Sequence, residues 1–305
     1  MHIQRIFVSI KSEEWWQMRS FILGSYVFTI LLTLLGCSAK VDRQQEFLII
    51  AHRGASAYAP EHTIPAYELA LQQNADYLEI DLQMTADGVL VSMHDESVNR
   101  TTNGDGAVQL YSLSEIKKLD AGTWFNEEFP DLGKKEYEGI TVPTLEEIIE
   151  HFGTEVSYYI ETKSPSVYPG MEEELLRVLS RFDLVAERDE DSKVIIQSFS
   201  SDSLKLIHEL APTIPLIQLL SNRSNHKLTD EDFEEIKEYA AGIGPSHKKM
   251  NKDFVKNARE AGLEVHPYTI NDAKELRKYL NWGITGAFTN HPDVAYETCC
   301  LGEGD

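Results

Sequence analysis

The sequence predicts an α/β fold, a TIM-type (β/α)8 barrel with a small insertion after the third strand. Three observations lead there. From residue 47 onward, short apolar β-rich runs alternate with segments of helical spacing, the pattern of a mostly parallel sheet. Such runs, eight or nine in all, occupy about 250 residues, the usual size of one α/β barrel. An open doubly wound sheet is the other arrangement this alternation can build. The chain has 305 residues, 42% of them hydrophobic, and only three cysteines. A core of that size needs no disulfide staples, and no disulfide framework is readable.

The candidate strands are 47–51, 77–82, 89–93, 156–160, 193–197, 215–219, 241–243, 264–268 and 286–289. Helical spacing runs through 171–182, 201–210, 229–240, 251–261 and 271–281, and Thr144 with Glu147 forms a capping box that opens another helix. Two places break the alternation. Only Gln83 to Gly88 separates the second and third strands, too few residues for a parallel crossover, so the two are expected to form a hairpin. A turn centred on Ala86-Asp87 sets His94 opposite Glu79. One centred on Asp87-Gly88 sets it opposite Asp81. The second break is 99–141, rich in Gly, Asn and charge, with at most one short helix from Ser112. It also carries Tyr111, Trp124, Phe125, Phe129 and Tyr137. A loop this long in a compact domain is usually functional, and it reads as an insertion over one end of the barrel.

The N-terminus reads as an address. Residues 21–36 form an uncharged apolar run, shorter than the roughly 20 residues of a membrane-spanning helix. It ends in Leu34-Leu35-Gly36-Cys37, which resembles the bacterial lipoprotein signal. That resemblance implies acylation of Cys37 and a chain anchored outside the cell by lipid alone; an uncleaved signal anchor is the alternative, and secretion the alternative location. Met18-Arg19 offers a second start, with a basic residue just before the apolar core. The organisation expected is a signal over 1–36, a polar tether over 37–46, the barrel over 47–298 with its insertion, and a tail over 299–305.

The formal charge is −22, which excludes a basic nucleic-acid footprint. Acidity of this kind keeps a protein soluble, or it marks carboxylates that converge on a cation. The strand ends favour the second reading, because active sites of parallel barrels lie at the C-terminal ends of their strands. His52, Arg53 and Gly54 follow the first strand. Histidine titrates near neutrality and arginine grips phosphate. Glu79 and Asp81 lie two apart on the second strand and share a face, while Leu78, Ile80 and Leu82 need the other. Two carboxylates inside a barrel call for a neutralising partner, such as a hard cation with oxygen ligands. His94 and Asp95 follow the third strand. Glu161 and Lys163 share a face at the end of the fourth, where Lys163 offers either a second positive charge for phosphate or a salt bridge to Glu161.

Together these strand ends resemble the glycerophosphodiester phosphodiesterases. The likeness rests on His52-Arg53-Gly54 with Pro60-Glu61, Glu79-Ile80-Asp81, His94-Asp95 and Glu161-Thr162-Lys163. It continues through Asn99-Arg100-Thr101-Thr102, Pro143 to Glu147, Gln197-Ser198-Phe199, Tyr268 to Asn271 and Thr289 to Pro292. The resemblance implies a phospholipase-C-like barrel that hydrolyses a small glycerophosphodiester to sn-glycerol 3-phosphate and an alcohol. It implies His52 and His94 as general base and acid in unassigned order, and Glu79, Asp81 and Glu161 as ligands of a divalent cation. His52, Arg53, His94, Glu161 and Lys163 would bind substrate. Three carboxylates suit Ca²⁺ and Mg²⁺ alike; an extracellular position favours Ca²⁺ and admits cell-wall glycerol phosphate polymers as substrates. A related enzyme acting on phospholipids is the nearest alternative, and a lipid-anchored binding protein on an inactive barrel is the alternative outside enzymes. Many members have Asn where His62 stands and Trp where Tyr268 stands, differences expected to alter the outer substrate pocket.

Overall fold

The computed structural model describes residues 47–185, 192–221 and 228–300. The signal, the second start at Met18, Cys37 and the tether up to residue 46 lie outside the described residues, as do 301–305. Nine strands are described: β1 (Leu48–Ala51), β2 (Tyr77–Met84), β3 (Leu90–Ser92), β4 (Ser157–Thr162), β5 (Val194–Ser198), β6 (Leu216–Leu220), β7 (Gly242–Pro245), β8 (Glu264–Val265) and β9 (Gly286–Thr289). Eight run parallel in the order β8-β7-β6-β5-β4-β2-β1-β9, with β3 antiparallel on β2. Thr285 N donates to Val265 O (3.1 Å) and Phe288 N to Pro267 O (3.0 Å), which joins the two ends of the sheet and makes it a barrel. The eighth strand, expected over 264–268, is regular only at Glu264–Val265; Pro267 has no N–H to give the ladder.

Alternation along the strands separates two cores. Leu78, Ile80 and Leu82 face outward into the main cluster, beneath helices such as Ile64–Gln72, Leu145–Phe152 and Met171–Arg181. Ile50, Tyr159, Ile195, Ile217 and Phe288 fill the barrel interior. Glu79, Asp81 and Glu161 belong to the inward set and lie above that plug of side chains. The capping box at Thr144 forms, with Glu147 N donating to Thr144 Oγ1 (3.0 Å) and Thr144 N to Glu147 Oε2 (2.9 Å). The last helix, Pro292–Cys300, carries Cys299 against the main core, so it takes in the first two residues, 299 and 300, of the stretch expected as the tail.

The hairpin forms, but in neither expected register. Leu82 faces Ser92, Gln83 faces Val91 and Met84 faces Leu90. The turn has three residues, 86–88, closed by Thr85 N donating to Val89 O (3.0 Å), with Gly88 at φ +81°. Asp87 braces it by accepting from Thr85 Oγ1 (2.6 Å) and from Leu113 N (2.9 Å). This register would put His94 out of phase with the carboxylates. It reaches them because β3 stops at Ser92 and the chain bends away after Met93 N bonds to Asp81 O (2.9 Å). Gln83 Nε2 then holds the His94 carbonyl at 2.9 Å.

The insertion is more ordered than expected. The helix after Ser112 is present (Leu113–Ile116), and a second, Thr123–Glu128, follows. The second has Gly122 at its N-cap, and Asp120 Oδ1 accepts from Gly122 N and Thr123 N, both at 2.9 Å. Packing holds it: Phe125 is buried with Tyr137, Ala59 and Ala66. Val91, Met93, Val98, Val108, Ile116, Ala121 and Val142 form a separate small core at the root of the insertion.

Candidate active site

The site is built where parallel strands release their side chains. At the end of β1 the chain turns sharply. Arg53 takes φ +62° and Gly54 φ +83°. A Cβ on Gly54 would lie 2.7 Å from the carbonyl carbon of Ala66, so glycine is required for conformation and for space. The turn aims Arg53 N at Glu79 Oε2 (2.7 Å). β9 neighbours β1, with Ala51 opposite Thr289. The next residues therefore meet, and His52 Nδ1 lies 2.7 Å from Asn290 Oδ1. With the amide oxygen as acceptor, Nδ1 carries the proton and Nε2 keeps its lone pair.

The carboxylates come together through register. Asp81 pairs with Glu161 across β2 and β4, and Glu161 with Gln197 across β4 and β5. Glu79 accepts from Gln197 Nε2 at 3.2 Å, and Glu161 lies 3.1 Å from Lys163 Nζ. Asp81 lies 3.6 Å from Arg53 Nε and 2.9 Å from His62 Nε2. All three acids are buried. Burial and the charges of Asp81 and Glu161 push the Glu79 carboxyl well above its usual range. Burial and Asp81 do the same to Glu161. Asp81 moves the other way: burial opposes it, but Lys163, His62 and Arg53 together hold it ionised.

A hard cation with oxygen ligands fits this cluster. Asp81 Oδ1 is buried without a hydrogen-bond partner, and the Glu161 carboxyl lies within hydrogen-bonding reach of Asp81. Donor atoms of His62, Glu79 and Asp81 lie within 4.8 Å of one another. His62 is nevertheless a brace. Its Nε2 is engaged by Asp81 and its Nδ1 by Tyr67 Oη at 2.8 Å, so neither nitrogen is free. His62 is therefore buried between Asp81 and Tyr67 and not in the outer pocket where the sequence placed its effect. Tyr268 does line the cavity.

His52, Arg53, Glu79, Asp81, His94, Glu161 and Lys163 all border one cavity of about 150 Å³, with Gln197, Phe199 and Tyr268 completing its wall. The two histidines differ. Burial, then the Arg53 charge, lowers His52 to about 3. His94 is also lowered, by burial and by Arg53 and Lys163, but its Nδ1 lies 2.6 Å from Asp95 Oδ1, which supports its charged form. Sequence reading did not single out Gln83, Gln197, Asn290 or Asp95 as site residues. Gln197 had a usable signal, an inward position on β5; Asn290 and Gln83 depend on contacts made only in the fold.

Buried acids facing Arg53, Lys163 and two histidines at the strand ends of a parallel barrel suit a hydrolase of phosphodiesters. The chain belongs to the glycerophosphoryl diester phosphodiesterase family, which matches residues 52–294. It is 47% identical over 279 residues to a glycerophosphodiester phosphodiesterase of Bacillus subtilis (strain 168), covering 91% of this chain and 95% of that protein. An enzyme of the same name from Caldanaerobacter subterraneus is 35% identical over 249 residues, 81% of this chain and 95% of that one. Among solved structures, a phosphodiesterase of Oleispira antarctica in complex with the product sn-glycerol-3-phosphate superposes with a TM-score of 0.72. It is 29% identical and covers 82% of this chain and 96% of that chain.

Beside the cavity, Glu61 is gripped by Arg100 through two bonds (NH1 2.9 Å, NH2 2.8 Å) and by Arg53 NH1 (3.0 Å). Burial would raise the Glu61 carboxyl, but the Arg100 bonds and the Arg53 charge outweigh it and bring it down to about 2. A carboxyl depressed by folding stabilises the folded state above its unfolded value and loses that contribution as pH falls through its folded value. Glu61→Gln should therefore be less stable than wild type at pH 7. The gap in urea midpoint should close as pH falls from about 4.5 to about 2. A gap that stays constant over that window would show that the ion pair contributes nothing.

Proposed function

We propose that this enzyme hydrolyses glycerophosphodiesters to sn-glycerol 3-phosphate and an alcohol, with a divalent cation held by Glu79, Asp81 and Glu161 and with His52 and His94 as base and acid. The observation that carries the reading is three buried carboxylates crowded into one cavity with both histidines. The bound product in the related Oleispira structure supports the choice of substrate. The cation, when bound, would polarise a phosphate oxygen and offset developing charge. Arg53 and Lys163 grip the phosphate. His52, kept neutral with Nε2 bare, takes a proton from the attacking oxygen. His94 is the more readily protonated of the two because Asp95 accepts from it, and the anionic phosphate favours its charged form. It gives its proton to the departing alkoxide as the bond from phosphorus to that oxygen breaks.

A second hollow of about 330 Å³ shares His52 and Arg53 and is walled by Trp124 and Phe129. It provides room for a long leaving group, which favours phospholipids or cell-wall glycerol phosphate polymers as the second reading. The Cys37 reading extends to location: a chain acylated there sits on the outer face of the cell membrane, where Ca²⁺ rather than Mg²⁺ would fill the site. Among the described residues no helix is long and apolar enough to cross a membrane.

Metal-stripped enzyme should lose hydrolysis of glycerophosphodiesters and regain it with Ca²⁺, and less well with Mg²⁺. Full activity in protein shown to be metal-free would overturn the cation assignment. His52→Ala and His94→Ala should each lower kcat by about 10²–10⁴-fold. On a p-nitrophenyl diester, whose leaving group needs no proton, His94→Ala should recover much of its rate and His52→Ala should not; the reverse would exchange their roles. Cys37→Ala should free the protein from membranes or stall its processing, and identical fractionation of mutant and wild type as soluble protein would refute the anchor.

A further inference from the structure

Arg100 lies at the root of the insertion, on no strand end, and the chemistry above gives it no task. All three of its guanidinium nitrogens are nevertheless committed. Nε donates to Asp95 Oδ2 at 2.7 Å, while NH1 and NH2 close a fork on Glu61 at 2.9 and 2.8 Å. Asp95 passes the contact on, since its other oxygen lies 2.6 Å from His94 Nδ1. Glu61 passes it in the other direction, to Arg53 NH1 at 3.0 Å. The chain of contacts runs Arg53, Glu61, Arg100, Asp95, His94, and ties the loop after β1 to the segment after β3.

We infer that Arg100 is a positioning residue for His94: fixed by Glu61, it locks the Asp95 carboxylate, and Asp95 in turn holds the imidazole with Nδ1 protonated and Nε2 facing the cavity. The alternative use of an arginine at this place, direct contact with phosphate, is disfavoured because its planar fork is already filled by two carboxylates. A planar group with donors in fixed directions is also what the task needs. Lysine, a point charge, cannot bridge two carboxylates in a set geometry. His94 requires such support because it has left the β3 ladder. Apart from Gln83 on its carbonyl, Asp95 is the hydrogen-bond partner that determines how its ring lies. Misplacement of a reacting group by about 1 Å can cost 10²-fold in rate, so a support one residue removed matters to catalysis without touching substrate.

The inference rests on His94 taking part in the reaction, and the test separates the two ideas. Arg100→Gln should lower kcat on a glycerophosphodiester by about 10- to 100-fold with KM nearly unchanged. Arg100→Lys should fall between it and wild type. The loss should vanish when Arg100→Gln is placed in a His94→Ala background, because residues that act as one unit are not additive. Asp95→Asn, which alters only the link between Arg100 and His94, should show in the same cycle a loss that also disappears there, and so guards against an Arg100 variant that folds poorly. On the p-nitrophenyl diester, Arg100→Gln should follow whatever His94→Ala does. Additive losses in the double mutant, or a raised KM with unchanged kcat, would mean that Arg100 contacts substrate itself and would overturn the assignment. Wild-type kcat in Arg100→Gln, with His94→Ala impaired, would overturn it alone; wild-type kcat in His94→Ala would overturn the acid role as well.

Discussion

Like-charge crowding inside the barrel is the constraint on which the rest of this structure depends. Two carboxylates in contact repel by roughly 4 kcal/mol at the effective dielectric of a protein interior, which corresponds to about three pKa units. Glu79, Asp81 and Glu161 place three such groups together, all buried. The protein supplies Arg53 and Lys163 as fixed cations and His62 as a brace; these bring the Asp81 carboxyl down, while burial and the neighbouring charge keep Glu79 and Glu161 raised. A cluster left in that condition is suited to a cation and to an anionic substrate. The plug of Tyr159, Phe288 and Ile217 beneath it keeps water from relieving the repulsion from below.

The barrel makes this crowding tolerable because its scaffold is stabilised elsewhere. Leu78, Ile80 and Leu82 alternate with the acids on β2 and bury fully against the helices. Each fully buried side chain of that size contributes about 1.5–3 kcal/mol. The same strand thus carries the packing that holds it and the charges that strain it, on opposite faces. The sharp turn after β1, with Arg53 and Gly54 both at positive φ, spends some of that stability on aiming Arg53 N at Glu79.

The insertion belongs to the site as well as to the surface. Its second helix docks Phe125 on Ala66 near the start of the helix after β1, and its root carries Arg100 to Glu61 and Asp95. The two histidines consequently have different supports. His52 is held by Asn290 from a neighbouring strand end of the barrel wall, and His94 by an ion-paired carboxylate anchored from outside the barrel. That difference in partner, an amide for one and a carboxylate for the other, separates their tendencies to carry a proton.

The sequence by itself determined the class of fold and most of the chemistry. Alternating runs and helical spacing pointed to a mostly parallel sheet of eight or nine strands with one hairpin, with a closed barrel and an open doubly wound sheet both available. Position two apart on a strand was enough to put Glu79 with Asp81, and Glu161 with Lys163, on common faces. Only the tertiary structure decided the rest. The hairpin register depended on a three-residue turn braced by Leu113, far along the chain. The helix at Thr123, opened locally by Asp120, is held in place by burial of Phe125 against Tyr137 and Ala66. Asn290 meets His52 across 238 residues and Gln83 meets His94 across 11, while Arg100 meets Asp95, the partner of His94, across five. A side chain's partner across such gaps is set by where strand ends and loops converge in space, and no local pattern of residues encodes that convergence.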